Sequence, residues 1–204
     1  MKKALIVMLS VMLVLTFVAC EKDKSGEVVQ NYEDFVVAYN ASDVAGDCAT
    51  SLAPELYSDK TTNKDVSKST LNAYSVANWW KKLTGDDITV DSTSLSQEGT
   101  ITGTTALDTS AGTGKIEAEV TGVKVKFKYT KSGSTDKLDG EISFSGKLTL
   151  EVTKDSRSYS YSSFSLNGVS YKDISFTQNM ETKKFTAAKI GGADVELKLL
   201  NNQL

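Results

Sequence analysis

Lys115-Ile-Glu-Ala-Glu-Val-Thr-Gly-Val-Lys-Val-Lys-Phe-Lys-Tyr129 and, beyond a polar loop, Leu138-Asp-Gly-Glu-Ile-Ser-Phe-Ser-Gly-Lys-Leu-Thr-Leu-Glu-Val152 decide the fold. Apolar and polar residues alternate in both, the period of a strand with one buried face. In the second, Leu138, Ile142, Phe144, Leu148, Leu150 and Val152 are all even-numbered, with Gly140 and Gly146 in phase, so it is one long strand. In the first, Ile116, Ala118 and Val120 precede Val123, Val125, Phe127 and Tyr129, so the phase slips at Thr121-Gly122. Such a slip is a hairpin turn or a one-residue bulge. The charges choose the bulge. Closing the hairpin over Lys131 to Asp136 sets Lys128 against Asp139 and Lys126 against Glu141; skipping one residue at the slip then sets Glu119 against Lys147 and Lys115 against Glu151. Val125 opposes Ile142 inside, and Phe127 lies across from Gly140. Each opposite-charge pair contributes about 0.2–1 kcal/mol, so the pattern sets register more than stability.

The next hairpin is closed by Asn167-Gly168, a strong signal for a two-residue turn. It pairs Leu166 with Val169, Phe164 with Tyr171, Tyr161 with Ile174 and Tyr159 with Phe176. The apolar phase flips between 161 and 164, and opposite it between 171 and 174. Base and tip are therefore expected to bury opposite faces. The tip (Phe164, Leu166, Val169, Tyr171) then either twists around the core edge or presents an aromatic patch outward, and since large exposed patches mark contact, Tyr159, Tyr161, Phe164 and Tyr171 of this hairpin are the candidate interaction residues. Asn179 to Thr182 turns into a strand through Phe185, Ala187 and Ile190; Gly191-Gly192 turns into a last one through Val195, Leu197 and Leu199. Upstream, Ile88 and Val90 open a strand reaching about Leu95, started by Asp86-Asp87, and Gln97-Glu98-Gly99 turns into the strand of Ile101 to Leu107. Short connections throughout predict an antiparallel meander of about eight strands over residues 87–200.

Residues 27–83 carry helical spacing instead. Val28, Tyr32, Phe35, Val36 and Tyr39 share one face, with Glu33 and Asp34 in the first turns. A second helix is expected from Asp43, with Val44, Cys48 and Leu52 four apart, ended by Pro54. Ser58 to Lys64 reads as a polar connection, and a third helix as Asp65 to Leu83, with Val66, Ala73, Ala77, Trp80 and Leu83 on one face. Trp79 and Trp80 point about 100° apart, so one ring enters the core and the other meets the sheet edge, or both wall a ligand cleft.

Several chemistries lack their residues. The chain has no histidine, which removes the usual general base and the commonest ligand of catalytic zinc. There is no phosphate loop, no Cys/His metal spacing and no calcium-loop pattern, so no cofactor, no metal site and no catalytic residue is assigned. A formal charge of −3 without a basic stretch argues against nucleic acid. The expectation is a protein that is not an enzyme.

Residues 1–19 read as a secretory signal: Lys2 and Lys3, then an apolar run from Ala4 to Ala19 broken by Ser10 and Thr16. Phe17-Val18-Ala19-Cys20 resembles the lipobox of bacterial lipoproteins, with Phe17 departing from the usual Leu or Val. The resemblance covers the first twenty residues only. It implies a diacylglycerol thioether on Cys20, cleavage before it and acylation of the new amine, hence a membrane anchor with residues 20–26 as tether. Glu21 is not the aspartate that retains such proteins in the inner membrane, so the resemblance favours the outer membrane of the cell envelope over the inner. Cys48 is left without an intrachain partner and reads as a small buried hydrophobe.

The sequence therefore predicts an α+β domain over 27–204, N-terminal helices packed on a curved antiparallel meander or open barrel. Two functions compete. The first is a non-enzymatic envelope or surface binding protein that touches an unknown partner through the Tyr-rich hairpin. The second is a carrier or chaperone of an apolar ligand held between sheet and helices, lined by Trp79, Trp80, Tyr32, Phe127 and Phe144. A void beside those side chains would favour the carrier, and a filled interior the binding protein.

Overall fold

The computed structural model describes residues 32–58 and 61–201. The signal, Cys20, the tether and Val28 lie outside them, as does the side chain of Tyr32. The elements are α1 (Tyr32–Leu52), β1 (Thr61–Asp65), α2 (Ala73–Thr84), β2 (Ile88–Val90), β3 (Ser96–Asp108), β4 (Thr113–Lys131), β5 (Leu138–Val152), β6 (Ser156–Leu166), β7 (Val169–Asn179), β8 (Phe185–Ile190), β9 (Ala193–Asp194) and α3 (Leu197–Asn201). The strands form one antiparallel sheet ordered β1-β3-β4-β5-β6-β7-β8-β9, with β2 added to β4. β1 and β9 stand at its two ends, so among the described residues the sheet is open. The class is α+β. The helices are not all N-terminal, since β1 separates α1 from α2 and α3 follows the last strand.

The β4–β5 hairpin has the register that its charges dictate. Lys128 pairs with Asp139, Lys126 with Glu141, Glu119 with Lys147 and Lys115 with Glu151, and the register shifts between Val120 and Val123. Three of these close as ion pairs, Lys128–Asp139 at 2.8 Å and the other two at 3.6 Å. Lys126 instead reaches Glu98 on β3, also at 3.6 Å. The β6–β7 pairs are likewise those expected. Irregularities then line up across the sheet: between Glu98 and Thr100 on β3, at Thr121-Gly122 on β4, at Ser162 on β6, and at Asp173, which has φ 47° on β7. An extra residue restores the phase, which overturns the expectation that base and tip of the β6–β7 hairpin bury opposite faces. Tyr161 and Phe164 are both buried, with ring centroids 4.9 Å apart. One face of the sheet carries the whole core.

The helices cover that face. α1 is a single helix without the expected break at Asp43, because its mid-helix polar groups find partners. Ser42 Oγ bonds to the Tyr39 carbonyl, and Asp43 pairs with Lys82 of α2. Pro54 ends it, opening a 3-10 turn whose Leu56 is fully buried. Phe35 and Tyr39 meet Phe176 and Phe185 edge-on at 5.4–5.5 Å. α2 begins later than expected, at Ala73, where Asn72 Oδ1 accepts from the Tyr74 amide at 2.8 Å. Its most buried residues are Val76 and Trp79, so the inward face is turned relative to the Ala73–Trp80 stripe.

Four local readings are corrected by the structure. Thr61 to Asp65 is an edge strand, not a connection, because β3 supplies its hydrogen bonds and Thr62 is buried. β2 stops at Val90, where Asp91 caps a 3-10 turn, and Gln97-Glu98-Gly99 lies inside β3 as a bulge, not a turn. The last expected strand is replaced by the two-residue β9 and by α3, which Asn201 fastens through paired bonds to the Phe185 backbone, each 2.9 Å.

Candidate functional site

Four of the expected ligand-lining residues, Trp79, Trp80, Phe127 and Phe144, belong to the core or pack against it. Trp79 is 2% exposed and lies deep in the core. Trp80 is half-buried, edge-on to Phe127 at 5.5 Å and tilted against Tyr129 at 5.3 Å. One ring therefore enters the core and its neighbour meets the sheet, with Trp79 the deeper. Phe144 lies against Phe164 with centroids 6.1 Å apart, and Phe127, Phe144 and Leu148 belong to one buried cluster. A shallow surface trough of about 620 Å³ lies elsewhere, along Thr61, Asn63, Thr102, Thr104 and Glu117.

The Tyr-rich hairpin is not an outward patch at its centre. Tyr161 and Phe164 are 1% and 3% exposed, and Tyr171 stacks on Phe164 at 4.7 Å, half-buried. The Tyr161 hydroxyl donates to the Ser42 carbonyl and ties β6 to α1. Burial pushes its pKa far above the usual phenol range. Only Tyr159 and Tyr171 keep part of their rings at the surface.

A polar seam lies where α1 crosses between α2 and β6. Lys82 of α2 sits between Asp43, its close partner, and Asp47 at 3.5 Å, while Asn40 Nδ2 donates to the Lys82 carbonyl at 3.3 Å. Burial raises the Asp47 carboxyl pKa, and the neighbouring Asp43 adds to it. Burial works against the Lys82 cation, but its two carboxylate partners outweigh that and its pKa is raised. Arg157 lies on the covered face in phase with Tyr159 and Tyr161, its guanidinium carbon 4.9 Å from the Tyr159 ring centroid. Burial pushes Tyr159 up to about 12 and also raises Tyr39, with Arg157 opposing the shift in both. Tyr39, Asp43, Asp47, Lys82, Arg157 and Tyr159 thus form one electrostatic neighbourhood.

Sequence reasoning placed Tyr159 in a patch and Tyr39 on a helix face, but it did not join them to Arg157. A signal was present: Arg157 is the only arginine in the chain, and it occupies an inward position of the Tyr159-Tyr161 alternation. The partners of that position, brought by α1 and α2 from more than seventy residues away, carry no local signature. No protein-family model, curated protein or solved structure matches the chain.

Proposed function

We propose that this is a lipid-anchored bacterial envelope protein that is not an enzyme and binds its partner through its surface. Export and acylation at Cys20 rest on the resemblance of residues 1–20 to lipoprotein signals, and the outer membrane is favoured by Glu21. Two or three acyl chains anchor stably, each buried methylene contributing about 0.8 kcal/mol. The observation that carries the binding-protein reading over the carrier is the closure of the core. Phe127, Phe144 and Leu148, which would line an interior ligand, are buried in one cluster with residues of the helices, and Trp80 packs edge-on against Phe127. A curved sheet with the helices on its hollow side belongs to the same reading, and the register shifts on neighbouring strands support it, since a bulged strand bends.

Two measurements test this. Metabolic labelling with an alkyne fatty acid should mark the protein and should be lost in Cys20→Ala; labelling that persists would sink the anchor. Native mass spectrometry after exposure to a lipid extract should give the protein without a retained phospholipid. A phospholipid that is held, and is released by Trp80→Glu in a protein that still unfolds cooperatively, would restore the carrier.

A further inference from the structure

We propose that Arg157, with the rings of Tyr39 and Tyr159, forms a binding site for a small organic monocarboxylate. The inference goes beyond the function above and does not depend on the anchor.

The cation is free. Among the described residues Arg157 belongs to no ion pair, and its Nε is buried without a hydrogen-bond partner. A buried guanidinium N–H left unpaired is costly, and a ligand that accepts from it recovers that cost. Arg157 presents a planar fork that matches a carboxylate with two parallel hydrogen bonds. Its stacking on Tyr159 holds that fork in place before any ligand arrives.

The surroundings limit the ligand to one negative charge. Asp43 and Asp47 share the single cation of Lys82, which leaves that group with one excess negative charge, and among the described residues neither carboxylate pairs with Arg157. Asp43 and Asp47 act on the same tyrosines as Arg157 and would repel a phosphate or other polyanion. The body of the ligand should be apolar or aromatic. Arg157 is flanked in register by Val152 and Tyr159 by Leu150, both half-buried, while Tyr39 lies over Phe176, the other register neighbour of Tyr159. Half-buried rings beside aliphatic side chains, next to one fixed cation, suit a carboxylate with a ring or short chain behind it.

Because Arg157 is the only arginine, isotopically labelled arginine gives a single Nε–H resonance. The full-length protein would be titrated with benzoate, acetate, benzyl alcohol and inorganic phosphate. Benzoate should move the resonance saturably and about ten-fold more tightly than acetate or phosphate. Benzyl alcohol should leave it in place. In Tyr159→Leu, which keeps an apolar side chain, the benzoate affinity should fall about ten-fold while the resonance persists. Calorimetry on Arg157→Lys, which keeps the charge but not the fork, should lose most of the benzoate heat. No saturable shift, equal affinity for phosphate, an equal shift with benzyl alcohol, or full binding by Arg157→Lys would each overturn the proposal.

Discussion

The β4–β5 and β6–β7 hairpins meet the same difficulty, a change of apolar phase halfway along, and meet it with different residues. In β4–β5 glycines stand at the irregularity, Gly122 at φ 58° and Gly146 at φ 149°. In β6–β7 the extra residue is Ser162, opposite Asp173 at φ 47°. The difference follows from what surrounds each backbone. A Cβ on Gly146 would lie 2.4 Å from the Ser163 carbonyl oxygen and 2.5 Å from the Phe164 Cα, so the close approach of β6 admits no side chain there. A Cβ on Gly122 would meet nothing within 4 Å, and Asp173 is exposed, so at both of these the backbone torsion alone is at issue. Bulges thus divide into those held by contact and those held by conformation.

Gly146→Ala breaks the comparison most sharply. It should destabilise by about 3 kcal/mol or more, because the atoms it strikes are backbone and the first carbon of a core side chain. Urea unfolding would read this directly, and a loss below about 1 kcal/mol would mean that β5 and β6 separate easily at the bulge. Tyr161→Phe comes next. It removes the hydroxyl bond to the Ser42 carbonyl without emptying the core, so it should cost about 1 kcal/mol, or roughly 2–4 °C in melting temperature. A neutral result would show that α1 is held on β6 by ring packing alone.

The same two hairpins mark how much could be read in advance. Register in both was legible, because opposite charges in β4–β5 and Asn167-Gly168 in β6–β7 are local signals that name their own partners. The bulge at Thr121-Gly122 was legible for the same reason: four Lys–Glu and Lys–Asp pairs fit only one count of residues. The paired flips at 161–164 and 171–174 were seen but misassigned. Without a glycine or a charge ladder, nothing in the sequence separated a bulge from a change of face. Edge strand β1 was missed because Thr61-Thr-Asn-Lys-Asp65 has no alternation of its own and is a strand only by virtue of β3. The seam around Arg157 lies further still from local reading. Its members come from α1, α2 and β6, and the sequence supplied only the oddity of a single arginine.

The smallest effects separate the two conformational bulges. Gly122→Ala puts a Cβ into a left-handed torsion with open space around it, so it should cost about 1 kcal/mol with the m-value unchanged. Asp173→Gly runs the other way. The left-handed torsion of Asp173 is relieved by glycine, but the unfolded chain gains freedom, and aspartate already tolerates that region better than most residues. The two terms nearly cancel, and the net change should be a stabilisation of no more than about 0.5 kcal/mol. Melting curves of the two variants and their double mutant decide whether the aligned bulges act as one unit. The sites lie on β4 and β7, separated by β5 and β6, so independent bulges should give additive changes. If the double mutant departs from the sum by more than about 0.5 kcal/mol, the irregularities are coupled across the sheet and act as one row rather than strand by strand.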